Sequence, residues 1–314
     1  MTAQSSAIAP ERTPLSSATT TAWTGLAWGF LGVAAFSLTV PLTRIAVAEL
    51  SPLFIGAGRA VVAAALAGAA LTLTRQRLPR GRQWLGLTVV GGGAVIGFPL
   101  TTSFALTEVP ASHAAVVIAL LPAVTAVIAV LRTGERTIPR FWVMAGAGAL
   151  ATVGFAATQS GALQAGRADL LLLIGVVLCA AGYAEGALLA RELGPWQTIS
   201  WGLVVASPVM LVLTVGSVVQ QPPSGGPAAW ACFVYVSVIS MYLGFFAWYH
   251  GLAIGPMTTV SQVQLVQPVL SIMWAALLVG EQITWLTALA GLAVIGCAGG
   301  ATSARGRRAP APPS

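Results

Sequence analysis

Apolar residues gather along the chain into tracts of about 20, the length an α-helix needs to cross a hydrocarbon core of roughly 30 Å. Short breaks carrying arginine, proline or glycine separate them. The breaks define ten tracts, at 23–43, 52–74, 84–106, 111–131, 141–159, 169–190, 196–219, 230–251, 257–279 and 284–301. From Leu193 to Gly280 there is no Asp, Glu, Lys or Arg. A water-facing surface of that length does not tolerate such a gap. The pattern predicts an all-α integral membrane fold with ten transmembrane helices.

Composition narrows this further. Of the 314 residues, 57% are hydrophobic and 7% charged, against roughly 25% charged in a soluble domain. That excludes an ordinary soluble globular protein, and so rich an apolar content excludes disorder of the whole chain. The +7 net charge comes from arginines spread in small clusters between the tracts, so no nucleic-acid partner is expected. Ten crossings place both termini on one side. Arg12, Arg75, Arg77, Arg80, Arg82, Arg132, Arg136, Arg140, Arg191, Arg305, Arg307 and Arg308 share it, while Arg44 and Arg167 face the other. The positive-inside rule makes the first side cytoplasmic, in the cell (inner) membrane. Residues 1–22 lack the basic start and short apolar core of a signal peptide. They are expected to be a disordered cytoplasmic tail before a retained helix, and 302–314 a basic, Pro/Ala-rich one. Cys179, Cys232 and Cys297 lie inside apolar tracts and suggest neither disulfide nor zinc.

The chain also repeats itself. Pro110, Pro122 and Gly134-Glu135 recur 146 residues later as Pro256, Pro268 and Gly280-Glu281, and Glu49-Leu50-Ser51-Pro52 recurs 143 residues later as Glu192-Leu193-Gly194-Pro195. Two matches in the same order argue for a duplication, with halves at 23–160 and 169–301. Five helices per half is an odd number, so the halves enter the membrane in opposite directions. Inverted repeats of this kind build many secondary transporters.

On these residues the sequence resembles the drug/metabolite transporter superfamily, and within it the EamA-type members. The carriers are Ala105-Leu106, Pro110, Leu121-Pro122, Leu131 to Glu135 and Gly146 to Gly154, then Gly251-Leu252, Gln267-Pro268, Leu277 to Glu281 and Gly291 to Gly296. The resemblance implies two five-helix repeats with both termini cytoplasmic. It implies a central cavity lined by helices one to four and six to nine, with helices five and ten peripheral. It also implies small-metabolite substrates, often amino acids or hydrophobic amines.

Several side chains are candidates for chemistry. Pro122 and Pro268 stand mid-helix, each removing an N–H and freeing the carbonyl four residues before it. Hinges are one reading, static kinks the other. Gln264, Gln267, Ser271 and Trp274 fall on one face of the ninth helix by spacing. Amides at that depth either contact a polar substrate or bind a neighbouring helix. Tyr235, Ile239, Tyr242, Phe246 and Tyr249 form a stripe on the eighth helix, with Tyr242 the preferred substrate contact and Tyr235 and Tyr249 interfacial. Arg59 lies about 10 Å inside the second helix at roughly 1.5 Å per residue. It either binds a substrate carboxylate, snorkels outward, or pairs with Glu49 or Glu108. Thr102 and Ser103 add polarity to the third helix. Glu185 is a candidate for carrying a coupling proton or for pairing with an arginine, and His250 for an inner gate or proton site. Gly134, Glu135, Gly280 and Glu281 read as a structural motif closing two helices.

Together these features predict a secondary transporter moving a small metabolite, an amino acid or related compound or a hydrophobic amine, outward by alternating access around a midplane cavity. A passive channel or facilitator stays open as the alternative. An intramembrane enzyme is remote, because His113 and His250 fall near opposite faces and no HExxH or paired-carboxylate motif occurs. The expected partners are a small-molecule substrate and the lipid bilayer; a homodimer is left open. No cofactor and no metal are expected.

Overall fold

The computed structural model describes residues 15–134, 138–159, 166–254, 260 and 263–305, and every regular element among them is helical. The helices are α1 (Leu15–Ser37), α2 (Thr39–Ala46), α3 (Pro52–Leu73), α4 (Gln83–Val90), α5 (Phe98–Glu108), α6 (Ala111–Ile118) and α7 (Leu121–Thr133), followed by α8 (Pro139–Gln159). The second half holds α9 (Arg167–Leu193), α10 (Pro195–Gln220), α11 (Pro227–Val234), α12 (Gly244–Ile254), α13 (Gln267–Trp274) and α14 (Trp285–Arg305). Wider π-helical turns join α4 to α5 at Gly91–Gly97 and α11 to α12 at Tyr235–Leu243, and a third follows α13 at Ala275–Val279. A 3-10 turn, Val263–Val266, precedes α13.

Seven helices among the described residues are long and apolar enough to cross a membrane: Trp23–Ala46, Pro52–Leu73, Gln83–Glu108, Ala111–Arg132, Arg167–Leu193, Pro195–Gln220 and Pro227–Ile254. Val263–Val279 and Trp285–Ala301 are shorter apolar helices. Helix α1 begins at Leu15, inside the segment expected to be disordered, and α14 runs on to Arg305. Both extensions are rich in Ala, Ser and Thr, which a helix already nucleated in its apolar part can absorb. The remainders of the two tails, Glu135, and the start of the ninth tract lie outside the described residues.

The prolines interrupt their tracts, as the loss of an N–H inside a helix leads one to expect. Pro122 and Pro268 each stand in the first turn of a new segment, α7 and α13. A missing N–H is harmless there, because the first turn has no intrahelical acceptor for it. Leu121 and Gln267, where those segments start, are 146 residues apart, and the π-helical turns starting at Gly91 and Tyr235 are 144 apart. The duplication is thus visible in the local backbone as well as in the letters.

Packing follows the same pairing. Helix α3 packs on α10 and α8 on α14, contacts that map onto themselves when the halves are exchanged. The α1–α12 contact exchanges with that of α4 and α5 against α9, and the α7–α9 contact with α1 against α13. Glycine sets the closest crossings. Gly93 lies against the Leu178 carbonyl and Gly182 against Ala94, while Gly32 meets the Trp248 backbone and Gly251 meets Gly29. Outside this interior, Leu170, Ile174 and Val177 of α9 and Val209, Val212 and Val215 of α10 stay exposed, as a lipid-facing surface requires.

Gly93→Ala would push a methyl group into the Leu178 carbonyl, so it should lower stability by about 1–3 kcal/mol in a thermal or denaturant melt of the purified protein. Gly92→Ala, which meets nothing within 4 Å, should leave the melt unchanged or slightly raise it.

Candidate functional site

The repeated Gly-Glu motifs first explain how the halves are tied. Gly134 and Gly280 end their helices in the left-handed region, at φ of 66° and 74°, where a side chain would be strained. The turn at Gly280 delivers Glu281 to the start of α6, where its carboxylate accepts the Ala111 and Ser112 N–H groups at 2.6 and 2.8 Å. Those donors have no partner within their own helix, and the positive end of the helix dipole favours the anion. Glu49 does the same for α11, accepting the Gly226 N–H at 2.5 Å. Glu192 holds the start of α4 by accepting from the Gln83 side chain at 3.3 Å. Each of these carboxylates reaches into the opposite half.

Between the halves, at the breaks made by proline, lies a narrow seam. Val40 of α2, Ala115, Ile118, Ala119, Leu121 and Pro122 of the α6–α7 tract, and Gln264, Gln267, Pro268 and Ser271 line it. The cavity is about 10 Å³, room for a single water. Ile118 and Gln264 are the residues whose carbonyls Pro122 and Pro268 leave without a helical donor. The Gln264 side-chain N–H₂ and the Gln267 side-chain carbonyl, both buried, have no partner among the described residues. A hydrogen-bond donor and an acceptor thus sit unused at one interface, beside freed backbone.

The other expected contacts are dispersed. Ser271 donates to the Ser37 carbonyl at 2.8 Å, and Trp274 Nε1 donates to Ser37 Oγ at 3.1 Å. That carbonyl is open because Pro41, four residues on, has no N–H. The eighth-helix stripe is split, since the π-helical turn offsets the register. Tyr235 donates to the Ala35 carbonyl, Tyr242 hydrogen-bonds Ser200 at 3.2 Å, and Tyr249, expected at the interface, is buried against Gly186. Glu185 pairs with Arg132 at 3.1 Å, and His250 is exposed with its ring edge-on to Trp28. Thr102 donates to the Phe98 carbonyl, and buried Ser103 has an unpartnered Oγ. Arg59 is buried and pairs with neither Glu49 nor Glu108, which are engaged elsewhere.

Sequence reasoning missed one site. Where α6 and α9 begin, His113 Nε2 and Asp169 Oδ1 lie 2.6 Å apart, both buried, beside a cavity of about 460 Å³ lined also by Glu108, Arg167, Glu281 and Thr287. The sequence places His113 near one membrane face, but its partner is 56 residues away and no spacing links them. No group of three or more His, Cys, Asp or Glu that could hold a metal occurs among the described residues.

Comparison with known proteins adds a family. The profile described as "EamA-like transporter family" matches twice, at residues 23–157 and 166–300. A Bacillus subtilis (strain 168) protein described as "Uncharacterized transporter YdeK" is 44% identical over 279 residues, covering 89% of this chain and 96% of its own. A solved structure described only as "Crystal structure of protein" is 20% identical, with a TM-score of 0.61 over 90% of this chain and 98% of that one, a likeness of fold.

Glu281→Ala removes the acceptor for two helix-start donors. It should cost about 1–3 kcal/mol in a reversible unfolding measurement, well beyond the effect of an exposed-site control such as Arg77→Ala.

Proposed function

The chain belongs to the EamA-like transporter family, and on that premise we propose that it is a secondary carrier working by alternating access at the proline-broken seam. The observation that supports this most is the unpartnered pair of Gln264 and Gln267 at that seam. Amides left unsatisfied in a low-dielectric interior are costly. A solute offering an acceptor to Gln264 and a donor to Gln267 would relieve both. The seam has room for roughly one water here, so a solute is accommodated only when α2, the α6–α7 tract and α13 separate. Pro122 and Pro268 place chain breaks where such a movement needs them, with no intrahelical hydrogen bond to rupture.

In this reading the two halves are inverted repeats, 23–160 and 169–301, spanning the cell membrane ten times with cytoplasmic termini. The exchange-symmetric packing supports the repeat, and the arginine distribution supports the orientation. Outward movement rests on the family resemblance. Ser271 and Trp274 act as ties to the first tract rather than as solute contacts, and Glu185 as half of an ion pair with Arg132.

Purified protein in proteoliposomes should show saturable counterflow of a labelled small metabolite. Gln267→Leu should insert normally and reduce the initial rate about tenfold, the effect of losing one hydrogen bond of roughly 1.4 kcal/mol. Unsaturable flux without counterflow would replace the carrier by a channel, and unchanged kinetics in Gln267→Leu would remove the amides from the solute path.

A further inference from the structure

Arg59 is 1% exposed, yet among the described residues its guanidinium makes a single hydrogen bond, a long one of 3.5 Å to Thr102 Oγ, and its Nε has no partner. Thr102 already donates its own hydroxyl proton to the Phe98 carbonyl at 2.6 Å, so toward Arg59 it can only accept. The described carboxylates are all committed elsewhere: Glu49 to Gly226, Glu108 to Arg167, Asp169 to His113, Glu185 to Arg132, Glu192 to Gln83 and Glu281 to the start of α6.

The interior therefore holds a cation with donors in excess and, among the described residues, no anion to meet them, the condition that marks an intramembrane ion as a functional candidate. A guanidinium presents a planar fork of N–H groups whose geometry matches a carboxylate. We propose that Arg59 binds the carboxylate of the transported solute, so that the substrate is a small carboxylate-bearing molecule rather than a hydrophobic amine. A cationic amine would meet Arg59 with like charge and find no free carboxylate among the described side chains. The inference rests on the carrier reading, because Arg59 is closed off in this conformation and a solute reaches it only when helices separate. The neighbour that contributes is α5, through the neutral hydroxyl of Thr102, which supplies no compensating charge.

The test is a thermal-unfolding titration of the purified full chain with sodium salts of short aliphatic acids and of neutral amino acids. The matching amides and sodium chloride at equal ionic strength serve as controls. Carboxylates should raise the melting temperature saturably, because a ligand bound only by the folded state stabilises it; amides should not. Arg59→Gln should abolish the rise, and Arg59→Lys, which keeps charge but loses the fork, should weaken apparent affinity at least tenfold. The proposal fails if carboxylates stabilise no more than chloride, which would leave a general anion site, or if Arg59→Gln responds like the parent. Should Arg59→Gln not fold, the carboxylate-against-amide comparison in the parent and the response of Arg59→Lys decide. Counterflow in proteoliposomes separates the two readings. Arg59-dependent carboxylate binding without exchange would sink the carrier and keep the site. Exchange of amines or neutral solutes without such binding would do the reverse.

Discussion

Everything in this structure depends on how helix starts are satisfied across the boundary between the halves. In lipid, apolar side chains gain little by choosing one another over acyl chains, so helix association rests on close packing and on polar contacts that have no alternative partner. The first N–H groups of a helix are such contacts. Glu281 takes two of them from α6, Glu49 takes one from α11, and Glu192 holds the residue that begins α4. Between these anchors, most of the side-chain hydrogen bonds linking helices also cross the boundary: Thr39 with Ser240, Ser51 with Ser217, Gln76 with Gln197, and Ser37 with Ser271 and Trp274. The glycine crossings bring backbones close enough for these short side chains to reach.

The seams that exchange with each other are not chemically equal. Tract α6–α7 is joined to α9 by a titratable pair near each end, His113 hydrogen-bonded to Asp169 and Arg132 ion-paired with Glu185. At the repeat offsets the corresponding residues are Thr259 with Leu26 and Leu278 with Leu42, so the partner seam carries no such charges. It is held instead by the neutral bonds of Ser271 and Trp274 to Ser37. Of two interfaces built on one plan, one is fastened by titratable side chains and the other by neutral hydrogen bonds, and Gln264 and Gln267 sit beside the second.

Much of this was legible in the sequence because lipid imposes a strong pattern. Apolar length gave the tracts, proline and Gly-Glu spacing gave the duplication, and the depth of Gln264, Gln267 and Arg59 singled them out. What was not legible depends on contacts distant in the chain or on hydrogen-bond register. Spacing assigned Ser271 and Trp274 to the same face as the glutamines, but could not know that Pro41 leaves the Ser37 carbonyl open for Ser271 to fill. The tyrosine stripe assumed 3.6 residues per turn throughout, and the π-helical turn at Tyr235–Leu243 turns Tyr242 and Tyr249 toward different helices. His113 and Asp169 meet through tertiary folding alone.

The clasp by Glu281 also has an order in time. A chain made from its N-terminus has completed α6 long before the carboxylate that anchors it exists, since 170 residues separate Ala111 from Glu281. Glu192 reaches Gln83 across a gap of 109 residues in the same way. The first half consequently leaves the ribosome with two helix starts unanchored, and can take its final form only after the second half has been made. In soluble multidomain chains the earlier unit generally folds first; here the last-synthesised carboxylate closes the first-synthesised half, so biogenesis ends where the sequence began.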